Sequence, residues 1–166
     1  MRYTYYISLG SNIGDREGNL RRAWARLLSS LVKGRLSSIY ETDPLYVTDQ
    51  PRFLNAAAEA ISTLSPEEML RSLHAIEKDL GRDRARERRM GPRVIDLDVL
   101  LCGDLVVEKP DLAIPHPRLA ERLFVLVPLL ELSPNLTDPR TGSPYAAMAS
   151  FLSVSGAGGV YYYHPR

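Results

Sequence analysis

Apolar residues recur along the chain in two rhythms. Tyr5 to Leu9 is a short aromatic and β-branched run ending in the turn formers Gly10, Ser11 and Asn12, which predicts a first, largely buried strand. From Leu20 the interval lengthens. Leu20, Ala23, Trp24, Leu27, Leu28 and Leu31 recur at helical spacing with Arg21, Arg22 and Arg26 on the other side, predicting an amphipathic helix capped by Asp15 and stopped by Gly34. Leu36 to Tyr40 and Phe53 to Ile61 read as two further strands, joined by a loop holding Pro44, Asp49, Gln50 and Pro51. Long loops in compact domains commonly carry function, so Thr42 to Asn55 is a candidate substrate-binding segment.

Ser65-Pro66-Glu67-Glu68 combines a capping hydroxyl, a proline at the first helical position and acids in the first turn. It opens a second helix with the apolar stripe Met69, Leu70, Leu73, Ile76 and Leu80, closed by Gly81. Val94 to Leu101 returns to alternation: Ile95, Leu97, Val99 and Leu101 take one face of a fourth strand, Asp96 and Asp98 the other. Strand, helix, strand, strand, helix, strand is the ferredoxin-like α+β order, an antiparallel sheet with both helices on one face and the other left for ligands. C-terminal additions follow: a short strand at Leu105 to Val107, a helix at Leu123 to Leu132, another at Pro144 to Leu152, and a loosely attached glycine-rich tail over 153–166. With no repeat and no long linker, residues 1–166 read as one domain.

Composition agrees with a globular domain, at 166 residues, 45% hydrophobic and 25% charged. A net charge of +1 gives no global attraction to nucleic acid or acidic membranes, so anion binding has to come from local clusters. Cys102 is the single cysteine, which excludes an intramolecular disulfide, and His74, His116 and His164 lack zinc-site spacing around it. The N-terminus does not read as a signal peptide and no apolar run reaches membrane-spanning length, so a cytoplasmic location is expected.

One such cluster precedes the aspartates. Arg82, Arg84, Arg86, Arg88, Arg89 and Arg93 are interrupted only by Asp83, Ala85, Glu87, Met90, Gly91 and Pro92. In isolation this reads as a solvated charge run paired to its own acids. Beside Asp96 and Asp98 it reads as a phosphate clamp, because guanidinium forks match phosphate oxygens and two carboxylates on one strand face suit a divalent ion. Magnesium fits better than zinc, since it takes oxygen ligands, keeps waters and completes its shell with substrate phosphates. Glu77 falls on or beside the buried stripe of the second helix and needs a partner there, either a loop arginine or a ligand hydroxyl such as ribose. His116, between Pro115 and Pro117, is held ready to donate to a phosphate, unless it is a structural turn histidine. Gly10-Ser11-Asn12-Ile13-Gly14 lacks the Gly-Lys-Ser/Thr ending of a Walker loop and reads as a turn and cap. Phe53 and Asn55, two apart on a strand, would present an aromatic face and an amide to a flat heterocycle; the plainer reading makes Phe53 and Phe124 core and Asn55 a cap.

Five motifs in this order and spacing resemble the 6-hydroxymethyl-7,8-dihydropterin pyrophosphokinase family. They are Leu9-Gly10-Ser11-Asn12-Ile13-Gly14, Tyr40-Glu41-Thr42-Asp43-Pro44-Leu45, Phe53-Leu54-Asn55-Ala56, Gly91-Pro92-Arg93-Val94-Ile95-Asp96-Leu97-Asp98, and Pro115-His116-Pro117-Arg118 with Arg122-Leu123-Phe124. The resemblance implies a ferredoxin-like transferase that moves the β,γ-diphosphate of ATP to a pterin alcohol and releases AMP, in folate biosynthesis. It further implies two magnesium ions on Asp96 and Asp98, with Arg82 and Arg93 in the catalytic set. Arg82, Arg84, Arg93, His116 and Arg122 would contact the triphosphate and Glu77 the ribose. Thr42, Pro44 and Leu45 would line the pterin pocket, Asn55 would bond the pterin edge, and Phe53 and Phe124 would sandwich the ring. The partners implied are these small molecules, with no nucleic acid or membrane, acting on a monomer. Met90 stands where an aromatic residue often caps the pocket, and Asp111, Ala113 and His74 depart from the family pattern near the nucleotide. Two other classes fit parts of the pattern: a metal-dependent phosphohydrolase with water as nucleophile, and a non-catalytic ferredoxin-like module binding phosphate or RNA.

Overall fold

The structure is a computed structural model, and it describes residues 1–45, 47–84, 87, 91–156 and 158–165. Among the described residues eight strands form: β1 (Tyr3–Ser11), β2 (Lys33–Leu36), β3 (Tyr40–Thr42), β4 (Phe53–Ser62), β5 (Asp96–Cys102), β6 (Val107–Lys109), β7 (Leu112–Ile114) and β8 (Val160–Tyr162). Four α-helices accompany them: α1 (Arg16–Leu28), α2 (Pro66–Asp79), α3 (Leu123–Leu132) and α4 (Tyr145–Val154). The main sheet runs β5-β1-β4-β3-β8, with β2 also on β4 and every pairing antiparallel, while β6 and β7 make a separate hairpin.

Alternation along β1 decides which helices lie where. Tyr5, Ile7 and Leu9 face the first core, where Leu20, Ala23 and Leu27 of α1 meet Met69, Leu73 and Ile76 of α2. Tyr6 points the other way, to a second core with Ala57, Leu100 and α3 residues Val125, Leu126 and Leu129. Thus α1 and α2 share one face, as the ferredoxin-like order predicts, and the C-terminal helices cover part of the opposite face. What remains open there is the end where β1, β4 and β5 carry polar side chains.

The caps form as expected. Asp15 accepts from the Gly18 amide at 3.0 Å, and Ser65 and Glu68 complete a reciprocal capping box. Four local expectations are corrected. Helix α1 ends at Leu28, and Gly34 lies in β2, where the Trp24 ring packs so closely that a Cβ would stand 2.6 Å from it. The strand expected over 36–40 is broken, because Ser37 pairs with Ala57 through both its amide and its hydroxyl, at 2.8 and 2.9 Å, while Ser38 turns its amide to Glu131. In β5 the register against β1 shifts between Tyr6 and Ile7, so Leu101 joins the α3 core instead of the face of Ile95, Leu97 and Val99. Within the tail expected to be loosely attached, Val160–Tyr162 forms a strand, β8, which pairs with β3 at an edge of the sheet.

Candidate active site

The floor of the open face is a row fixed by strand register. Asp96 of β5 pairs with Gly10 of β1, which pairs with Asn55 of β4; one step along, Asp98 pairs with Ser8. Carboxylates, a bare glycine and an amide are therefore adjacent across three strands. A Cβ at Gly10 would stand 2.9 Å from Asn55 Oδ1, so any larger residue there would push the amide out of its place. Asn55 Nδ2 donates to Thr42 Oγ1 at 2.7 Å, so this buried pair presents the remaining amide edge toward the cavity.

A cavity of about 250 Å³ lies over this floor. Ser8, Gly10, Thr42, Asp43, Leu45, Gln50, Phe53, Asn55 and Phe124 line it together with Arg82, Arg84, Arg93, Asp96, Asp98, His116 and Arg122. Twelve of the fourteen site residues expected from the sequence thus meet in one place. Pro44 stands in the wall between Asp43 and Leu45 without lining the cavity, and Glu77 lies beneath it. A second cavity opens beside the first. It shares Arg84, Asp98 and His116, and its own walls include His74, Asp111 and Ala113, the three departures noted above.

Glu77 is 1% exposed, and both its oxygens are taken. Oε1 accepts from Arg82 Nη1 and, at 2.8 Å, from the Leu97 amide; Oε2 accepts from Arg84 Nε at 2.8 Å and Nη2 at 2.7 Å. Of its two readings the structure holds the arginine partnership, with the Leu97 amide as a third donor group. Arg82 bridges on to Asp96 and to Glu87, and Arg93 Nη1 reaches Asp96 Oδ2 at 2.7 Å. Burial works against the Arg82 charge, but Asp96 and Glu77 outweigh it and raise its pKa. Burial also opposes the Asp96 charge, yet Arg93 and Arg82 lower its pKa on balance.

Asp98 has the opposite fate. Burial, followed by the negative charge of Asp96, pushes its pKa up to about 7. A carboxyl whose folded pKa lies above its unfolded one binds an extra proton when folded, so its contribution favours the fold at low pH and is lost as pH rises from about 4 to about 7. Without divalent ions, the Asp98→Asn protein is therefore expected to be more stable than the parent at pH 8, with the advantage vanishing toward pH 4. Thermal unfolding in chelator at the two pH values measures it, and an equal difference at both would contradict the assignment.

His116 is fixed as a donor. Its Nδ1 accepts the Arg118 amide at 3.1 Å, which leaves the ring proton on Nε2, and burial together with Arg122 pushes its pKa down to about 4. The guanidinium of Arg93 lies 5.8 Å from the Phe53 ring centroid and that of Arg122 lies 5.8 Å from Phe124, so each aromatic wall touches the cationic half of the site.

Sequence reading missed Asn12. Its amide donates to the Arg93 carbonyl at 3.1 Å, its Oδ1 accepts the Arg93 amide at 2.8 Å, and its Nδ2 reaches Gln50 Oε1 and the Pro51 carbonyl, both at 3.1 Å. One buried side chain thereby ties the arginine segment to the loop that walls the cavity. Read as a turn residue, Asn12 gave no local signal of partners some forty and eighty residues away. Met90, with Arg86, Arg88 and Arg89, lies outside the described residues.

The fold and site together define a phosphate-transferring enzyme on a ferredoxin-like α+β frame. The model of the 7,8-dihydro-6-hydroxymethylpterin-pyrophosphokinase family matches residues 6–134, and the chain belongs to that family. A Bacillus subtilis protein named 2-amino-4-hydroxy-6-hydroxymethyldihydropteridine pyrophosphokinase is 48% identical over 140 residues, 83% of each chain. The Pisum sativum mitochondrial folate synthesis bifunctional protein is 46% identical over 154 residues, 92% of this chain but 28% of its own length. Among solved structures, wild-type Plasmodium falciparum HPPK-DHPS with pteroate superposes with a TM-score of 0.73 at 15% identity, covering 94% of this chain and 43% of that one, a likeness of fold. Family membership does not favour the phosphohydrolase and binding-module alternatives.

Proposed function

We propose that the cavity binds ATP and 6-hydroxymethyl-7,8-dihydropterin side by side, and that the chain transfers the β,γ-diphosphate of ATP to the pterin hydroxymethyl group, a step of folate synthesis. The hydroxyl oxygen attacks the β-phosphorus, the bond from that phosphorus to the α,β-bridging oxygen breaks with its electron pair leaving on AMP, and the hydroxyl proton passes to solvent. The observation that carries this reading is one cavity whose lining brings two aromatic rings and a buried amide together with four arginines and two carboxylates.

In this proposal Phe53 and Phe124 hold the pterin ring, Asn55, braced by Thr42, bonds its polar edge, and Leu45 and Pro44 close the wall. Arg82, Arg84, Arg93 and Arg122, with the Nε2 proton of His116, grip the phosphates and stabilise the charge that develops as the bridging bond breaks. Glu77 orients Arg82 and Arg84 from below. The donor set fits magnesium: two neighbouring strand carboxylates, with no cluster of three metal-ligating side chains among the described residues, so phosphate oxygens and waters would complete the shell. Asp96 and Asp98 would hold two ions, which when bound supply charge neutralisation and a lowered pKa for the attacking hydroxyl. The proposed acting unit is a monomer working on small molecules. No described helix is long and apolar enough to cross a membrane, and the proposed location is the cytoplasm.

Incubation with ATP, magnesium and the pterin alcohol tests the reading. AMP formed only when the pterin is present is the expected result; ADP or free phosphate formed without it would point to hydrolysis and overturn the proposal.

A further inference from the structure

The C-terminal strand lies beyond the stretch matched by the family model and beyond the residues assigned to the site, yet it pairs with β3, whose end runs into the cavity wall. β3 has only three residues and lies between β4 and β8. Its pairing with β8 continues past both ends: the Asp43 amide donates to the Gly159 carbonyl at 3.2 Å and the Tyr163 amide to the Ile39 carbonyl at 3.0 Å. The chain leaving β3 becomes Thr42, Asp43 and Leu45, all three of which line the cavity.

Side chains add a second hold on the same segment. The Tyr162 ring meets Tyr40 edge-on at 5.7 Å, and its hydroxyl lies 3.2 Å from Ser38 Oγ. The Arg52 guanidinium lies 5.4 Å from the Tyr161 ring centroid and donates to Asp43 Oδ1 at 2.8 Å. Arg52 is at the far end of the loop that Asp43 begins, so Tyr161 touches the clasp joining the two ends. Gly158, at φ +94°, lets the tail turn in beside Leu45, with the place of a Cβ 3.8 Å from Leu45 Cδ1. A three-residue strand without an outer partner has too few ladder bonds to hold one conformation, so Thr42, the acceptor for Asn55, depends on β8 for its position.

We propose that β8 is a positioning element for the pterin end of the site, setting the wall 42–45 against Asn55; this rests on the reading that this end receives the pterin. Among the described contacts, those of the strand fall on β3, Ser38, Asp43 and Arg52 and not on Arg82, Arg84, Arg93, Asp96 or Asp98, so its influence is expected on one substrate. The test uses the full chain with Tyr161→Pro. Register with the bonds at Asp43 and Tyr163 makes Tyr161 a hydrogen-bonded partner of Glu41, and proline removes that donor along with the ring over Arg52.

The pterin alcohol is expected to bind about tenfold more weakly, a change of about 1.4 kcal/mol. ATP affinity should stay within about twofold, and amide exchange at Thr42, Asp43 and Leu45 should accelerate. Tyr161→Phe, which keeps the amide and an aromatic face, should behave as the parent; Tyr162→Ala, which keeps every backbone bond, should shift pterin affinity in the same direction by less. Unchanged pterin affinity in Tyr161→Pro overturns the inference. Parallel loss of ATP and pterin affinity also overturns it, since β8 would then serve general stability. A parent protein that binds ATP but not the pterin alcohol instead overturns the reading of the cavity itself.

Discussion

Asp96→Ala is expected to lower turnover by about three orders of magnitude while leaving the protein folded. The proposed divalent ion contributes several kcal/mol of transition-state stabilisation, and each 1.36 kcal/mol is a factor of ten in rate. The fold should survive because Arg82, which loses one partner, keeps Glu77 and Glu87, and because Asp96 lies at the cavity floor outside either apolar core. Asp98→Ala should behave similarly. The contrast to measure is single-turnover AMP formation against the thermal midpoint. An Asp96→Ala enzyme within tenfold of the parent rate would remove the metal-holding role from this strand.

Glu77→Ala should act mainly on stability, with a loss of about 3–5 kcal/mol, the range for removing one member of a buried ion-paired group. The carboxylate serves Arg82, which is 7% exposed, as well as Arg84 and the buried amide of Leu97, so its removal leaves three donors short of an acceptor at once. Glu77→Gln keeps an oxygen for the Leu97 amide but not the charge, and its loss should be smaller. Urea denaturation followed by tryptophan fluorescence measures both, Trp24 being the only such reporter. Because the same carboxylate aims Arg82 and Arg84 at the cavity, ATP should also bind more weakly to the folded fraction. A stability loss below about 1 kcal/mol would show that the arginines find other partners.

These two residues mark different limits of what can be read in a linear chain. Asp96 and Asp98 are legible because strand alternation is a local rule: Ile95, Leu97 and Val99 are drawn to the helix face, and the residues between them have to point away. Glu77 is legible only as a problem, a carboxylate on an apolar stripe. Its solution required knowing that Arg82 and Arg84 fold back over the end of α2 and that the first turn of β5 passes beneath them.

The same division runs through the molecule. The periods of the elements, the caps at Asp15 and Ser65, the shared face of the aspartates and the positive charge beside them can all be read along the chain, since each depends on residues within a turn or two of one another. The motifs then carried the family and, with it, the chemistry. It takes the folded chain to see that Gly10 is floor and not turn, that Ser37 breaks a strand, that Leu101 changes face at a register shift, that Asn12 joins two segments and that β8 closes on β3. Each of these turns on a partner twenty to about a hundred and twenty residues away. Such a partner leaves no periodic trace, because its contribution is a single hydrogen bond or contact made after the sheet has assembled.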